Sequence, residues 1–380
     1  MSLKTAVFVT AGLMVLGFAI LNRSRQPSSL PPTELTQPLS ARRMVKPRLP
    51  APRMPVVAAS LPEAQPIGRE PTNAFTQMVN NGKDAKLSLA QLESYLAENR
   101  RSAESLVTAF RLTGDPALLQ EAAEKFPHDP RVSFAGWFAT LRNSDASPEE
   151  RRQWLDAFKQ SAPDNALANY LSAQDYFKCG QTDRAVEELV AAAGSPKFQN
   201  YLADSLQNSE EAYRSAGYSE AQAKWYALFA RGLKELMPLM DLGKSLGELS
   251  KLYRQAGDEA SAQATLQMGV TLGHRVSEWQ SYAIQDLAGL EIEESVLRTI
   301  DPASPYDSAG RTVKQRLDEI AQRKETISDI RRSIPEPLLQ SLSDQEMIAF
   351  LDRIKVSGQE NAAQWARNRQ GAGRGERDLP

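Results

Sequence analysis

The sequence predicts an all-α protein built from antiparallel helix pairs, preceded by one apolar helix and a proline-rich linker. Three observations lead to this class. Alanine, leucine, glutamine and glutamate are abundant, and β-branched residues are sparse after position 21, a composition that favours helices. Apolar residues recur at the i, i+3, i+4, i+7 spacing of one helix face, with no sustained two-residue alternation. Helix-start signals also recur at short intervals from Ser88 onward.

The net charge of −2 is an average over three unlike zones. Residues 1–21 carry one charge, residues 22–72 carry 8 basic and 3 acidic residues with 11 of the 23 prolines, and residues 73–380 carry 36 basic and 44 acidic residues. Two histidines and one cysteine exclude a histidine-rich metal site, a two-cysteine zinc motif and an internal disulfide framework. The overall charge gives no attraction to nucleic acid, which is not expected as a partner.

Residues 1–21 are predicted to form a single transmembrane anchor. The 17 residues that end at Leu21 carry no charge, and as a helix they would span roughly 25 Å, the short end of what a bilayer needs. A cleaved signal peptide is the alternative, but the run is longer than a usual signal core and no small-x-small cleavage site follows it. Lys4 lies on one side of the run and Arg23 and Arg25 on the other, so the side of the membrane stays open.

The rest of the chain divides into four predicted regions. Residues 22–72 are expected to be a disordered basic linker, because proline blocks helix and sheet hydrogen bonds and few large apolar groups are available to bury. We expect a helical repeat domain over 73–306, capping helices over 307–356 and a mostly disordered tail over 357–380. The charged helix predicted at 311–332 has a narrow apolar stripe, which suits either the end of a helical array or pairing with another chain.

Capping residues place four helix starts before the first repeat. Ser88 and Gln91 form a capping box, and a cap residue precedes a first-turn proline at Asp115-Pro116, Asp129-Pro130 and Ser147-Pro148. The predicted helices are about 10–16 residues long with turns of about 3–6 residues, so that neighbouring helices should pair antiparallel.

Two later segments share one pattern of small, aromatic and turn residues. Tyr253, Gly257, Ala262, Leu266 and Gly269 follow the same spacing as Tyr176, Gly180, Ala185, Leu189 and Ala192. A small residue such as Ala173 or Ala185 lets helices cross closely, and a turn glycine tolerates positive φ. Both segments resemble the tetratricopeptide repeat (TPR), a helix–turn–helix unit of 34 residues. The resemblance implies a TPR-like α-solenoid.

The resemblance also implies a binding face. TPR-like solenoids bind extended peptides or partner helices along a concave face lined by the first helix of each pair. The residues expected to form this face are Tyr170, Gln174, Phe177, Lys178, Lys244, Glu248, Lys251 and Arg254. Lys244, Lys251 and Arg254 share one helical side and would suit an acidic peptide or a C-terminal carboxylate. The lysine–asparagine clamp of chaperone-binding TPR proteins is not reproduced, and ordinary solvated charges account for the same pattern.

No catalytic, cofactor-binding or metal-binding residue is predicted. Residues 243–245 end like a phosphate-binding loop, but the first glycine and the preceding strand of that motif are missing. His128 and His274 fall in different repeats with no nucleophile near either in sequence, and Cys179 is expected to be a packing residue. The acidic run at 291–294 is expected to be a solvated helix face.

The sequence therefore predicts a membrane-anchored, non-enzymatic scaffold or adaptor that binds proteins or peptides. A secreted repeat protein released by signal cleavage and an all-helical enzyme with a scattered site are the alternatives. A bacterial inner membrane is the expected location from the general character of the sequence, although no motif establishes it. The partner and the oligomeric state stay open.

Overall fold

The computed structural model describes residues 87–229, 235–278, 282–307, 309–332, 334 and 336–375. Within these ranges the protein is all-α, with two isolated β-bridges and no strand. The predicted membrane anchor and linker lie outside the described residues. No helix within the described ranges combines the length and the apolar character needed to cross a membrane.

Helices follow one another throughout the described residues, and consecutive helices pack against each other in pairs. In chain order they are α1 (Leu89–Glu98), α2 (Ala103–Thr113), α3 (Pro116–Lys125), α4 (Pro130–Arg142), α5 (Pro148–Ser161), α6 (Ala166–Lys178), α7 (Thr182–Gly194), α8 (Leu202–Ser215), α9 (Glu220–Phe229), α10 (Met237–Gln255), α11 (Glu259–Ser277), α12 (Ala283–Leu297), α13 (Val313–Arg332), α14 (Glu336–Ser341) and α15 (Asp344–Gly375).

The four predicted helix starts are confirmed. The Ser88 hydroxyl accepts from the Gln91 backbone N–H, and the Gln91 side chain accepts from the Ser88 backbone N–H, which completes the capping box. Asp115, Asp129 and Ser147 each accept a backbone N–H from the first turn of their helix, and each is followed by a proline. These caps satisfy N–H groups that the helix itself leaves unpaired, so they fix the helix boundaries locally.

The two segments with the shared pattern form two helix hairpins, α6/α7 and α10/α11. Each turn glycine has positive φ, +70° at Gly180 and +80° at Gly257. Ala185 and Ala262, at the crossing points, are fully buried. The second hairpin is longer than predicted, with 19 residues in each helix against 13 in α6 and in α7. Glycines on α10 and α11 allow this extra length to pack closely on α12.

The two hairpins pack directly on each other through α6 and α10, although two helices separate them in sequence. The intervening helices α8 and α9, with the residues that lead into them, leave this stack of hairpins. We call residues 195–229 the excursion. Helix α8 packs back on α1 and α2, and α9 packs on α15. Three aromatic side chains, Tyr213, Tyr218 and Tyr226, contact one another with ring centroids 5.4–5.6 Å apart and anchor the excursion to the N-terminal helices.

The C-terminal helices differ from expectation in one respect. The predicted charged helix is present as α13, which packs on α12 through buried Ile320 and Ile327. Residues 357–380 were expected to be mostly disordered, yet α15 continues as helix to Gly375, with a kink at Gly358. This segment is helical because it has a narrow apolar face, although most of its residues are polar. Its members are Ala362, Ala363 and Ala366, which are fully buried, and Trp365, which lies beneath Arg353 and Arg369.

Candidate partner-binding surface

The eight residues predicted to form the concave face, here called the first-helix face, do not share one environment. Tyr170 and Gln174 are buried, 2% and 4% exposed. Phe177 and Arg254 are half-buried. The other four side chains, Lys178, Lys244, Glu248 and Lys251, are exposed. The prediction of an accessible surface is therefore wrong for Tyr170 and Gln174, whereas Lys178, Lys244, Glu248 and Lys251 are exposed as predicted.

Tyr170 is buried because residues 195–201, here called the strap, cross over it. The ring of Phe198 packs edge-on against Tyr170, with 5.7 Å between centroids. The Asn165 side chain makes two hydrogen bonds to the backbone of Gln199 in the strap. Its Nδ2 donates to the Gln199 carbonyl at 2.8 Å, and its Oδ1 accepts from the Gln199 N–H at 2.9 Å. Arg275 of the second hairpin donates to the Ser195 carbonyl at 3.1 Å, so both hairpins hold the strap.

Further main-chain contacts tie the strap to the start of α6. The Ala166 N–H donates to the Lys197 carbonyl at 2.9 Å, and the Lys197 N–H donates to the Asp164 carbonyl at 3.1 Å. The Lys197 ammonium lies 2.6 Å from the Asp164 carboxylate, both exposed. This hydrogen bond lowers the pKa of Asp164 below its usual value. No motif in the sequence marked residues 195–201 as a covering segment.

The exposed part of the first-helix face is cationic. Lys178 and Lys251 have no carboxylate of a described residue within 4.0 Å, whereas every other lysine of the described ranges has one. Lys244 lies 3.4 Å from Asp241, a weak exposed pair. Leu252, next to Lys251, is 59% exposed. Among the described residues, this surface therefore offers two ammonium groups without a paired carboxylate, one of them, Lys251, next to an apolar side chain.

A second ionic group lies where α5 meets α6. The carboxylate of Asp175, 4% exposed, accepts from Arg151 Nε at 2.7 Å and from Arg152 on its other oxygen. The Arg152 guanidinium stacks on the Tyr176 ring, 3.4 Å from its centroid. Sequence reasoning missed this group, because two adjacent arginines and an aspartate 23 residues later carry no recognisable spacing. Its buried carboxylate is fully used in holding the two helices together.

The densest cluster of titratable groups surrounds Glu293 on α12. Its carboxylate, 1% exposed, accepts two hydrogen bonds from Arg316 at 2.7 and 2.8 Å and one from the Tyr306 hydroxyl at 2.9 Å, and His274 Nε2 lies 3.5 Å away. Burial disfavours the charged form, but the donors, Arg316 foremost, outweigh it and hold the pKa of Glu293 at about 2. Residue 293 is therefore not on a solvated face as predicted.

The chemistry open to this cluster follows from its pKa values. The Glu293 carboxylate stays charged at neutral pH with its lone pairs occupied, which makes it a poor proton acceptor. Burial and the adjacent carboxylate raise the pKa of Tyr306 to about 12. A hydrogen bond to Glu293 raises the pKa of His274. The arrangement is suited to joining α11, α12 and α13 by charge.

Comparison of the sequence with known protein families and with curated proteins, and of the fold with solved structures, finds no match.

Proposed function

We propose that this protein is a membrane-anchored, non-enzymatic scaffold that binds protein or peptide partners on a TPR-like solenoid. The observation that carries the proposal is the pair of hairpins α6/α7 and α10/α11. They share turn glycines with positive φ and fully buried crossing alanines, and they pack directly on each other. This is the arrangement by which a repeat array builds an extended surface from successive first helices.

Neighbouring helices support the same architecture. The pairs α2/α3 and α4/α5 precede the two hairpins, and α2 packs on α4 as α6 packs on α10 and α10 on α12. First helices contact first helices within two groups, α2 with α4 in one and α6 with α10 and α10 with α12 in the other, as they do in a solenoid.

The charge of the exposed surface supports a partner segment with carboxylates. Lys178 and Lys251 are exposed without a described carboxylate within 4.0 Å, and Leu252 adds apolar area next to Lys251. A peptide that carries acidic residues next to an apolar one would pair with both features.

A photo-crosslinking amino acid at residue 251 of the full-length chain tests this function in cells. We expect discrete protein adducts that are lost when Lys178→Glu reverses the other unpaired charge of the first-helix face. The matched position is Lys314, an exposed residue on α13. Equal adducts at both positions, or none at 251, would contradict partner binding on this face.

The membrane part of the proposal rests on the uncharged run that ends at Leu21. We expect the full-length chain to stay in the membrane fraction after high-salt and alkaline washes, and a variant without residues 2–21 to be released. The N-terminal sequence of the mature protein separates an anchor from a cleaved leader: a start at or near Met1 supports the anchor, and a start beyond residue 21 supports a secreted protein.

A further inference from the structure

The strap makes the contacts that a bound extended peptide would make. Asn165 recognises the backbone of Gln199 through both its amide and its oxygen, and the Phe198 side chain packs against Tyr170. Main-chain hydrogen bonds with one aromatic anchor are a common way to bind an extended segment, because they depend little on the rest of its sequence. Residues 195–201 therefore cover the Tyr170 end of the first-helix face in the way that a bound peptide would.

The strap ends in a strained backbone conformation. Tyr201, which precedes α8, has φ +56° and ψ +24°, in the left-handed region that residues with a Cβ avoid. Its side chain makes no capping hydrogen bond to the helix that follows. Strain of this kind persists only where surrounding contacts impose it, and it lowers the cost of leaving the closed state.

The packing beside Tyr201, at the end of the strap, is also incomplete. A cavity of about 20 Å³, enough for about one water molecule, lies beside Tyr201 and is lined in part by Arg111, Phe134 and Ser205. Arg111 Nε, beside this cavity, is buried and has no hydrogen-bond partner among the described residues. A buried polar group without a partner is costly, so packing around Tyr201 is less favourable than at a site whose polar groups are all paired.

The rest of the domain does not depend on the strap for its main contact. Helix α6 packs directly on α10, and Arg275 reaches across to the strap only at its first residues. Removal of the strap would expose Tyr170 while the contact between the two hairpins remains.

We propose that the strap is an internal ligand that must leave Tyr170 before a partner binds at that end of the first-helix face, and that this partner is an extended segment with one aromatic side chain in the place of Phe198. The identity of the partner segment rests on the proposed function; the opening of the strap does not.

Hydrogen exchange of the full-length chain in detergent tests the opening. The informative amides are those of Lys197 and Gln199 in the strap and of Leu171 within α6. We expect the strap amides to exchange at least about 100-fold faster than Leu171, through an opening that leaves α6 folded. Equal protection of strap and α6, lost only on global unfolding, would overturn the inference.

Lys197→Glu tests the same opening without disturbing the core, because the substitution places like charges at an exposed contact with Asp164. Strap exchange should become faster while Leu171 is unchanged. Lys314→Glu makes the same charge change beside Asp318, in an exposed pair on α13, and should leave strap exchange as in the wild type.

A peptide with the sequence of residues 195–201 tests the ligand. It should bind the Phe198→Ala and Lys197→Glu chains at least about 10-fold more tightly than the wild type, whose own strap competes at high effective concentration. The peptide with alanine in place of phenylalanine should bind none of them. No difference between the chains would overturn the proposal. Strap opening with peptide binding but no adduct at residue 251 would reject the proposed function alone.

Discussion

Glu293 and Arg316 form a bidentate ion pair in which the carboxylate side chain is 2% exposed and the guanidinium side chain 21% exposed. The pair joins α12 to α13 and so fixes the charged helix at the end of the array. Because the two partners differ in burial, loss of one is not equivalent to loss of the other.

Arg316→Gln should therefore destabilise the protein more than Glu293→Gln. Without the guanidinium, a buried carboxylate keeps only Tyr306 and His274 as donors, and we expect a loss of about 3 kcal/mol, against about 1–2 kcal/mol when the carboxylate is removed. Urea unfolding of each variant measures the difference. Lys314→Gln, in an exposed ion pair, should change the free energy of unfolding by less than about 0.5 kcal/mol. Equal losses for the two core variants would contradict this account.

Stability should fall as the pH rises above neutrality because of His274. Its pKa is raised in the folded protein by the hydrogen bond to Glu293, so the folded state holds the proton more tightly than the unfolded state. The stabilisation that protonated His274 contributes to the folded state is complete below about pH 6.5, the ordinary pKa of histidine, and is lost as the pH rises through the raised pKa of His274. Melting temperatures between pH 6 and pH 9 measure this slope, and His274→Gln should flatten it. A slope unchanged in His274→Gln would assign it to other groups.

Glu293 should contribute to the acid limb of the stability curve. Its folded pKa of about 2 lies below the ordinary value of 4.5, so its contribution is present above pH 4.5 and is lost as the pH falls toward 2. Glu121, which accepts from Arg101 and Lys125, also has a pKa of about 2 and acts in the same window. Glu293→Gln should therefore make the acid limb shallower without abolishing it, as measured by urea unfolding between pH 2 and pH 5. An acid limb as steep as that of the wild type would refute the assignment.

Gly289→Ala should be strongly destabilising. A Cβ at this position would collide with the Gly273 carbonyl oxygen and the Ser277 hydroxyl, so α11 and α12 would have to separate. Overpacking of this kind costs about 1–3 kcal/mol, and contact with backbone places Gly289 at the upper end. Gly194→Ala is the control, since a Cβ there meets nothing within 4 Å. A thermal melt that shifts equally in both variants would exclude close helix packing as the reason.

The turn glycines Gly180 and Gly257 should respond alike to substitution. Neither has an atom within 4 Å of an added Cβ, so the cost of alanine arises from positive φ alone and is about 1–2 kcal/mol at each site. Asparagine, which tolerates this conformation, should cost less than alanine at both. Urea unfolding measures the free energy of unfolding of the four variants. Unequal losses for the same substitution at Gly180 and Gly257 would show that the two hairpins are not equivalent.

Local chemistry made part of this fold predictable. The cap residues Asp115, Asp129 and Ser147 act within three residues of themselves, so their pattern in the sequence is enough to locate helix starts. The equivalence of Gly180 and Gly257 is likewise local. The continuation of α15 was missed, because the small residues of its buried face lie among charged and amide side chains whose burial depends on a distant helix.

The candidate surface was predictable only where no other segment covers it. Lys178 and Lys251 are exposed as helix periodicity suggests. Tyr170 was assigned to the surface because repeats of this kind leave that position open, but Phe198 covers it. The covering contact joins residues from two different elements and depends on the Asn165 clamp, which no periodic pattern contains.

The return of α8 to α1 and α2 has a consequence for how this body folds. An ordinary repeat array touches only neighbouring units, so units can be removed from an end and the remainder unfolds in steps. Here α8 packs on the first described helices and α9 packs on the last one. The ends of the array are thereby linked through its middle. Such long-range closures slow folding and leave no unit that can be deleted alone, so the domain should assemble and unfold as a single cooperative unit.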